Sequence, residues 1–550
     1  MTGSLLIHAK VLSKRANKML ICLAIVMLSA NFSGCALSND LDMPSSNFDE
    51  VITVPDPDSK TNELGHINVS TDSDDISKHN DSAIVQAKQT NPTKEKKAVS
   101  ITISATGDCT IGINETMSYK NSFDEFYDKK GKSYFFRNVY DILSSDDFTI
   151  VNLEGPLTKS RDKQNKLYNH KGKPEYIDIL TAGSIEAVSF SNNHSYDYGQ
   201  SGYEETLSLL EKSGIVYASD NIYGIYETKG IKIGLVSVNE LYDGKLVEVW
   251  LEEGIKSLKQ QGANLIIACI HWGNTAGAKT SAVDEYHIEL SKKCIDWGYD
   301  LIIGNHFHVL SGINKYKGKY IVYSLGNFCY GGSKNPKDKD TGIFQQTFTF
   351  VDGILQTDDN VKFIPCTISS TVKTNNYQPT IVSGKEAKRI IRKLNVYSAQ
   401  FGVTFNHEGH PVAANSLNEQ DKADAYFEIF KASLNRTKPL KSVKFIGVEL
   451  SNLGLSDTTY LKSKIDQWCI SKGFNVFFGT MKELVAAGYN KKTADGEALI
   501  LLFDSPNWSH NQVRCKVFRN HTLLKYLSET YTSAYADGEW ITMEGNYIQL

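Results

Sequence analysis

Short polar blocks follow a series of apolar, strand-like runs, and this arrangement constrains the fold more than any other feature of the chain. The first three runs end at Gly107-Asp108, at Asn152-Leu153-Glu154 and at Ser191-Asn192-Asn193-His194. Three later runs end at His271-Trp272-Gly273, at Gly304-Asn305-His306-Phe307-His308 and at Ser324-Leu325-Gly326-Asn327. Ligands of layered α/β folds bind outside the carboxyl ends of the strands. The blocks therefore predict one shared site.

The residue types in these blocks are those that hold divalent metal ions. A single histidine after a strand is usually a structural hydrogen-bonding residue, and Asn-Asn or Gly-Asn pairs usually form turns. The joint occurrence of acids, an asparagine and His194, His271, His306 and His308 in one domain indicates a metal centre instead. His306 and His308 would share one face of a continuing strand. In a loop, the same spacing would let both imidazoles reach adjacent ions.

Strand-like runs alternate with helical patterns from residue 99 to about 363, which predicts a layered α/β domain. Two of the helical patterns, 201–213 and 285–298, close at a glycine. Mostly helix is expected from 384 to about 437. A second α/β pattern begins at 441 and predicts a small accessory domain. Its residues Asp504, Asn507, His510 and Asn511 are predicted to form one polar loop.

The N-terminal residues predict an export signal. Basic residues precede an apolar run at 19–30 that is too short for a transmembrane helix of about 20 residues. The run ends at Phe32-Ser33-Gly34-Cys35, which resembles a bacterial lipobox with Phe32 in the usual leucine position. The resemblance implies lipidation of Cys35 and a lipoprotein on the outer face of the cell membrane. A plain secretory signal or an uncleaved anchor is the alternative.

Composition limits the remaining possibilities. Residues 36–97 are polar and predict a disordered tether. The net charge of −4 and the lack of a dense basic run with aromatics argue against nucleic acid as a partner. None of the nine cysteines forms a Cys-x-x-Cys pair, so a zinc-thiolate site is not expected, and most cysteines read as buried thiols. The predicted domains are 1–35, 36–97, 98–437 and 438–550.

Several of the blocks together resemble a known superfamily. The Asn-Asn-His block is followed by Asp197-Tyr198-Gly199 and Gly202, and the His306-x-His308 pair is followed by Val309. With His271-Trp272-Gly273 and the block from Tyr323 to Phe328, these motifs resemble the calcineurin-like metallophosphoesterases. Within that superfamily they resemble the CapA family of poly-γ-glutamate capsule-synthesis proteins, over roughly 99 to 365. The resemblance implies a layered β-sandwich flanked by helices.

The resemblance also implies roles for individual residues. The implied metal ligands are Asp108, Glu154, Asn193, His271, His306 and His308. His194 is the implied catalytic residue, which assists the chemistry from outside the metal shell. The chain departs from the phosphoesterase pattern where Cys109 and Thr110 replace the usual x-His after the first aspartate. It departs again at Glu154, where the bridging acid is usually aspartate, and CapA-type sequences share both changes.

Four further residues are assigned to the surroundings of the ligands or to the substrate. Tyr198 and Trp272 are expected to flank the site, although core packing is an equal alternative for Trp272. Asp197 is expected to orient a histidine, or to cap the start of a helix. Asn327 completes the set, with a simple strand exit at Gly326-Asn327 as its alternative.

Two classes of function follow from these assignments. The first is a surface-anchored metal-dependent hydrolase or transferase that acts on a cell-envelope polymer, with poly-γ-glutamate implied by the resemblance. The second is a non-catalytic, metal-dependent polymer-binding part of an export assembly that includes membrane capsule-synthesis proteins. A phosphoesterase of unknown substrate is a weaker reading. Fold-level similarity does not establish activity, so these functions all stay open. The expected cofactor is one or more divalent ions, and Mn, Zn, Fe and Mg are all possible.

Overall fold

The computed structural model describes residues 98–273, 283–356, 360–413, 416–435, 443–489, 496–521 and 524–544. These residues all belong to one compact unit. The predicted signal peptide, the tether and the lipidation site Cys35 lie outside the described residues. Within these ranges, no helix combines the length and the apolar character that crossing a bilayer requires.

The described residues form strands β1 to β24. In chain order the first are β1 Ala98–Cys109, β2 Ile113–Asn114, β3 Phe148–Leu153, β4 His170–Lys171, β5 Ala187–Ser189, β6 Val216–Ala218, β7 Gly224–Thr228, β8 Ile231–Asn239, β9 Leu265–His271, β10 Leu301–Asn305, β11 Ile313–Tyr316 and β12 Lys319–Val322. The others are β13 Asp340–Val351, β14 Ile354–Leu355, β15 Val361–Thr367, β16 Thr380–Ile381, β17 Thr404–Phe405, β18 Pro411–Val412, β19 Val443–Glu449, β20 Asn475–Phe478, β21 Glu497–Ser509, β22 Gln512–His521, β23 Leu524–Ala536 and β24 Glu539–Glu544.

The α-helices of the described residues are numbered in the same way. They are α1 Phe123–Lys130, α2 Tyr140–Leu143, α3 Ile177–Ala182, α4 Gly199–Lys212, α5 Glu240–Asp243, α6 Leu246–Gln260, α7 Glu285–Trp297, α8 Gly384–Ser398, α9 Glu419–Asn435, α10 Thr459–Lys472 and α11 Met481–Ala486. Glycine ends α7 as predicted, because Gly298 adopts the left-handed conformation with φ 110° and its N–H bonds the last turn.

Two large sheets pack face to face. The first has the order β16-β15-β13-β1-β3-β5-β6, with β14 added to β13, and the second has the order β11-β12-β10-β9-β8-β7. Their facing sides share one apolar core, to which β1 contributes Ile101 and Ile103 and the second sheet contributes Leu235 and Ile267. Burial of aliphatic side chains between the sheets is the main force that holds these two layers together.

Helices cover the outer faces of both sheets. Phe123 of α1 and Leu210 of α4 pack with Val188 on the first sheet. Leu251 of α6 and Leu290 of α7 lie in the apolar cluster on the outer face of the second. The order of layers is therefore helix, sheet, sheet, helix. The predicted α/β sandwich flanked by helices is confirmed.

Parallel pairing brings the polar strand ends together. Strands β1, β3, β5 and β6 run parallel in the first sheet, and β8, β9, β10 and β12 run parallel in the second. The carboxyl ends of parallel strands meet at one edge of their sheet. Central strands such as β9 are buried along their whole length, which is why they read as unbroken apolar runs.

A third sheet follows, with the order β20-β19-β21-β22-β23-β24. Its core includes residues of α10 and also Ala425, Ile429 and Phe430 of α9, so this helix packs with the third sheet. The predicted small C-terminal α/β layer is present, and the predicted domain limits stay a prediction. The prediction of one polar loop at 504–511 is wrong, because Asp504 lies within β21. Only residues 510–511 form the turn between β21 and β22.

The cysteine prediction is confirmed for the residues that the structure describes. Cysteines 109, 269, 294, 329, 366, 469 and 515 are all buried free thiols. Burial raises the pKa of the Cys109 thiol to about 12, so this residue beside Asp108 stays protonated and makes a poor metal ligand.

A buried ion cluster ties α8 to β13. Asp340, whose side chain is 8% exposed, accepts hydrogen bonds from Arg389 at 2.9 and 2.5 Å and from Lys393 at 2.7 Å. Lys393 also donates to Asp338 at 2.6 Å. Burial raises the pKa of Asp340, but the hydrogen bonds from Arg389 and the charge of Lys393 outweigh it and hold that pKa below its usual range.

Replacing Asp340 with asparagine should lower the free energy of unfolding by about 3 kcal/mol, because Lys393 would stay buried without its main counter-charge. The matched control is Asp338→Asn, whose half-buried carboxylate contacts the same lysine and should cost less than about 1 kcal/mol. Denaturant unfolding at pH 7 measures both, and equal losses would contradict the prediction. The contribution of Asp340 is present above the ordinary carboxyl pKa and is lost as pH falls through the lowered folded-state value.

Candidate metal centre

The two sheets are joined at their polar ends by a close backbone approach. A Cβ at Gly107 would lie only 1.8 Å from the carbonyl oxygen of Gly326, so glycine is required for β1 to pass here. Asp108 N–H donates to Gly326 O at 2.8 Å, and Phe328 N–H donates to Asp108 O at 2.8 Å. Asp108 and Asn327 thereby form a parallel bridge. The end of the first sheet is thus held against the chain that follows the second.

His308 connects Asp108 to Asn327. Its Nδ1 lies 3.2 Å from Asp108 Oδ2 and 2.9 Å from Asn327 Oδ1. Asn327 also donates through Nδ2 to the His308 carbonyl oxygen at 3.1 Å. Asn327 therefore orients the histidine, and Gly326-Asn327 is more than a strand exit.

Glu154 lies at the centre of the group. Its Oε1 is 3.7 Å from His308 Nε2 and 3.9 Å from His271 Nε2. This oxygen is buried and has no hydrogen-bond partner among the described residues. Ligand atoms of Glu154, His306 and His308 all lie within 4.8 Å of one another. A buried carboxylate oxygen that faces imidazole nitrogens without a hydrogen bond fits a cation between them.

Asn193 and His271 complete the set. His271 Nε2 lies 2.7 Å from Asn193 Oδ1. The His271 ring is also 4.9 Å, between centroids, from that of His306. All six residues that the family resemblance implies as ligands are therefore gathered at one place. Two carboxylates, one carboxamide and three imidazoles form the nitrogen and oxygen donor set that divalent transition metals accept.

The His306-x-His308 segment lies in a loop. Strand β10 ends at Asn305, and His306 and His308 have φ values of 93° and 56°. Non-glycine residues rarely adopt positive φ, and such strain is concentrated at functional sites. Of the two readings that the sequence left open, the structure has the loop.

Burial and charge set the protonation of these groups. Burial raises the pKa of Glu154 to about 8, although His308 opposes the shift. Burial lowers the pKa of His271 well below its usual value, and the neighbouring His306 and His308 add to the effect. His271 is therefore neutral at pH 7, which is the form that binds metal ions. Burial also acts to lower the pKa of His308, but Glu154 and Asp108 outweigh it and raise it to about 9.

His194 stands beside the ligands rather than among them. Its Nδ1 lies 2.7 Å from Asp197 Oδ2, and the same oxygen accepts the His170 N–H at 2.6 Å. Lys166 contacts the other carboxylate oxygen of Asp197 and donates to Asn193 O at 2.6 Å. Burial lowers the pKa of His194 well below its usual value, so the ring is neutral at pH 7. Asp197 orients a histidine here, while the residue at the start of α4 is Tyr198, whose side chain makes no capping bond.

The two predicted aromatic neighbours lie elsewhere. Trp272 is fully buried in the core on the outer face of the second sheet, where Nε1 donates to Tyr323 O at 3.1 Å. The expectation that it flanks the ligands is wrong, because its side chain points to the opposite face from that of His271. The Tyr198 hydroxyl donates to Glu115 at 3.2 Å in a neighbouring pocket.

Several residues of the site were not predicted from the sequence. Asn152 donates to Asp108 Oδ1 at 2.8 Å and accepts from Asn192 at 3.1 Å. Period-two alternation with Glu154 was the signal that could have identified Asn152. His170 and Lys166 come from a long polar segment between β3 and α3 that has no periodicity, so nothing in the sequence marked them.

The layered sandwich and the donor set at its strand ends define a metallophosphoesterase-like domain. A profile of the family described as bacterial capsule synthesis protein PGA_cap matches residues 102–331. Over these residues the chain is similar to that family, and the resemblance to the CapA family is confirmed.

Individual relatives are distant. The capsule biosynthesis protein CapA of Bacillus anthracis is 24% identical over 280 residues, which cover 46% of this chain and 65% of that protein. The PGA biosynthesis protein CapA of Bacillus subtilis is 25% identical over 228 residues, which cover 37% and 58%. A probable polyglutamine synthesis accessory protein of Mycobacterium tuberculosis is 22% identical over 211 residues, with 33% and 55% covered. The chain thus spans about three fifths of the length of these curated relatives.

Proposed function

We propose that this chain acts in the synthesis or export of an anionic capsule polymer, through a divalent-metal centre with hydrolase- or transferase-like chemistry. The observation that carries the proposal is Glu154 Oε1, which is buried and lies between His271 and His308 without a hydrogen bond. The names of the relatives support the polymer, since they place those proteins in capsule, PGA or polyglutamine synthesis.

The proposed cation would be held by Asp108, Glu154, Asn193, His271, His306 and His308. Such an ion supplies Lewis-acid polarisation of a carbonyl or phosphoryl oxygen and activation of water. Glu154 and Asp108 place two carboxyl groups side by side in a buried site, and a divalent cation would favour their charged forms. The mixed donor set is compatible with Mn, Fe and Zn, whereas Mg binds by preference to oxygen alone.

His194 favours an enzyme over a binding protein. Asp197 holds its Nδ1 at 2.7 Å, which fixes the ring and leaves Nε2 to exchange a proton with a reacting group. Binding of a polymer without turnover does not require a histidine that a buried carboxylate holds in a fixed orientation. We therefore place the enzyme first.

One observation favours the non-catalytic alternative. Thr110 stands where the phosphoesterase pattern has a histidine, and its hydroxyl donates to Glu154 Oε2 at 3.3 Å. Because Thr110 donates to Glu154 Oε2, this second oxygen of Glu154 is already engaged by a protein donor. A centre with fewer ligands could hold an ion that binds polymer carboxylates without turnover. The same substitution makes a conventional phosphoesterase the weakest of the three readings.

The proposed setting is the outer face of a bacterial cell membrane. It rests on the predicted signal and on Cys35, which the lipobox resemblance marks for lipidation. The proposed partners are an anionic envelope polymer, such as poly-γ-glutamate, and membrane proteins of capsule synthesis. Cys35→Ala should release the protein from the membrane fraction, and unchanged fractionation would favour a different export signal.

Metal analysis of the purified full-length chain, followed by a substrate screen, tests the function. We expect stoichiometric divalent metal and chelator-sensitive cleavage or transfer at γ-glutamyl or phosphoester bonds. Metal-dependent binding of poly-γ-glutamate without turnover would favour the export-assembly alternative. Failure to load Mn, Zn, Fe or Mg would contradict both readings.

A further inference from the structure

A polar pocket is lined by residues that adjoin the group around His194 in the chain. It has a volume of about 560 Å³, and its walls include Glu115, Lys159, Arg161, Lys171 and Tyr198. Two of these residues are direct chain neighbours of the group around His194. Tyr198 follows Asp197, and Lys171 follows His170, whose ring lies 4.3 Å from that of His194. The pocket wall is therefore one residue along the chain from the His194 group at two points.

The acidic side chains of the wall are mostly engaged. Glu115 forms an ion pair with Lys163 and accepts the Tyr198 hydroxyl at 3.2 Å, and the Lys163 hydrogen bond holds its pKa below the usual range. Asp124 accepts the Tyr176 hydroxyl at 2.7 Å. Glu175 is the remaining acid of the wall and is exposed.

The basic side chains are mostly left without acidic partners. Among the described residues, Lys159 and Arg161 form no ion pair, and both are exposed on the wall. Lys171 donates to Ser160 O at 2.9 Å and lies over the Tyr198 ring at 4.2 Å, so it also lacks an ion pair. Lys173 is the exception, since it lies 3.3 Å from Asp128. Among the described residues, three cations without ion pairs therefore face one acid, Glu175, whose side chain forms no ion pair or hydrogen bond.

An extended polyanion has the matching chemistry. Charged groups that repeat along a chain can occupy a cationic pocket while a bond further along the same chain lies at the metal centre. The planar guanidinium of Arg161 can bind a carboxylate through two parallel N–H···O hydrogen bonds.

We propose that this pocket is a subsite for the carboxylate groups of an extended anionic chain, held by Lys159, Arg161 and Lys171 beside the metal centre. The inference rests on the proposed function for the identity of the chain. It adds a place where unreacted units of the polymer bind, so it predicts that affinity depends on residues outside the metal site.

Binding of fluorescein-labelled poly-γ-glutamate to the full-length chain, followed by fluorescence anisotropy, tests the subsite. The variant is Lys159→Ala/Arg161→Ala, and the matched control is Lys385→Ala/Lys388→Ala, which removes two exposed charges on α8. We expect about tenfold weaker binding in the pocket variant only, since two charge-assisted contacts are lost. Wild-type affinity should also fall as salt rises. Equal affinity of the two variants would overturn the subsite.

Two further arms separate this inference from the proposed function. With EDTA present, or with His308→Ala, the difference between the pocket variant and its control should persist even if no turnover is ever found. Loss of that difference in EDTA would overturn a subsite that acts independently of metal. Polyphosphate of similar length is the competing anion. Stronger binding of polyphosphate, abolished by the same pocket variant, would overturn the assignment to carboxylates.

Discussion

His308→Ala should weaken divalent-metal affinity by at least about 100-fold while the sheets stay folded. His308 reaches Asp108 at 3.2 Å and Glu154 at 3.7 Å, so it contacts both acids of the centre. Changes to groups that merely support metal ligands already cost about 10- to 100-fold in affinity, and a ligand should cost no less. Metal titration by calorimetry, with circular dichroism to check the fold, measures the effect. His306→Ala should behave in the same way.

His407→Ala is the matched control, because this histidine is exposed and lies outside the group. It should keep the affinity of the wild-type protein. If His306→Ala and His308→Ala also keep full metal occupancy, the metal-centre hypothesis is wrong. If they lose the metal and also unfold, the conservative variant His308→Gln, which keeps a polar side chain, decides between the two causes.

His194→Ala should keep the metal and reduce turnover by about 10²- to 10⁴-fold, the usual contribution of a proton-transfer group. The ring contacts Asp197 and lies against His170, and among the described residues no hydrogen bond or ion pair joins it to the acids of the centre. The loss should appear in kcat more than in KM, because proton transfer acts in the transition state. Asp197→Asn should lower kcat as well, since it removes the acceptor that orients the ring.

Metal content and activity, measured in the same preparations of the wild-type protein and His194→Ala, decide between an enzyme and a binding protein. A turnover that does not change in His194→Ala would remove the main argument for an enzyme. In that case, metal-dependent polymer binding that persists in His194→Ala would support the export-assembly alternative.

The sequence predicted the site well where polar residues follow apolar runs. Asp108 and His271 lie at the carboxyl ends of β1 and β9, and Glu154 and His306 directly follow β3 and β10. Parallel pairing brings these strand ends to one edge of each sheet. Local pattern and topology therefore carry the same information for these residues. Trp272 was harder, since a position next to a ligand does not say which face of the sheet its side chain takes. Tyr198 was harder because it lies at the start of α4, where its side chain turns to Glu115.

The sequence by itself determined the layered α/β architecture, the strand-end donors and the family resemblance, because all three depend on periodicity and on short motifs. Only the tertiary structure decided that His306 and His308 lie in a strained loop and that Trp272 belongs to the core. It also places His170 and Lys166, which come from a segment without periodicity, beside Asp197. It joins Asp340 to Arg389 and Lys393, which are 49 and 53 residues away in the chain. Such contacts depend on how distant segments pack, and local residue pattern carries no record of that packing.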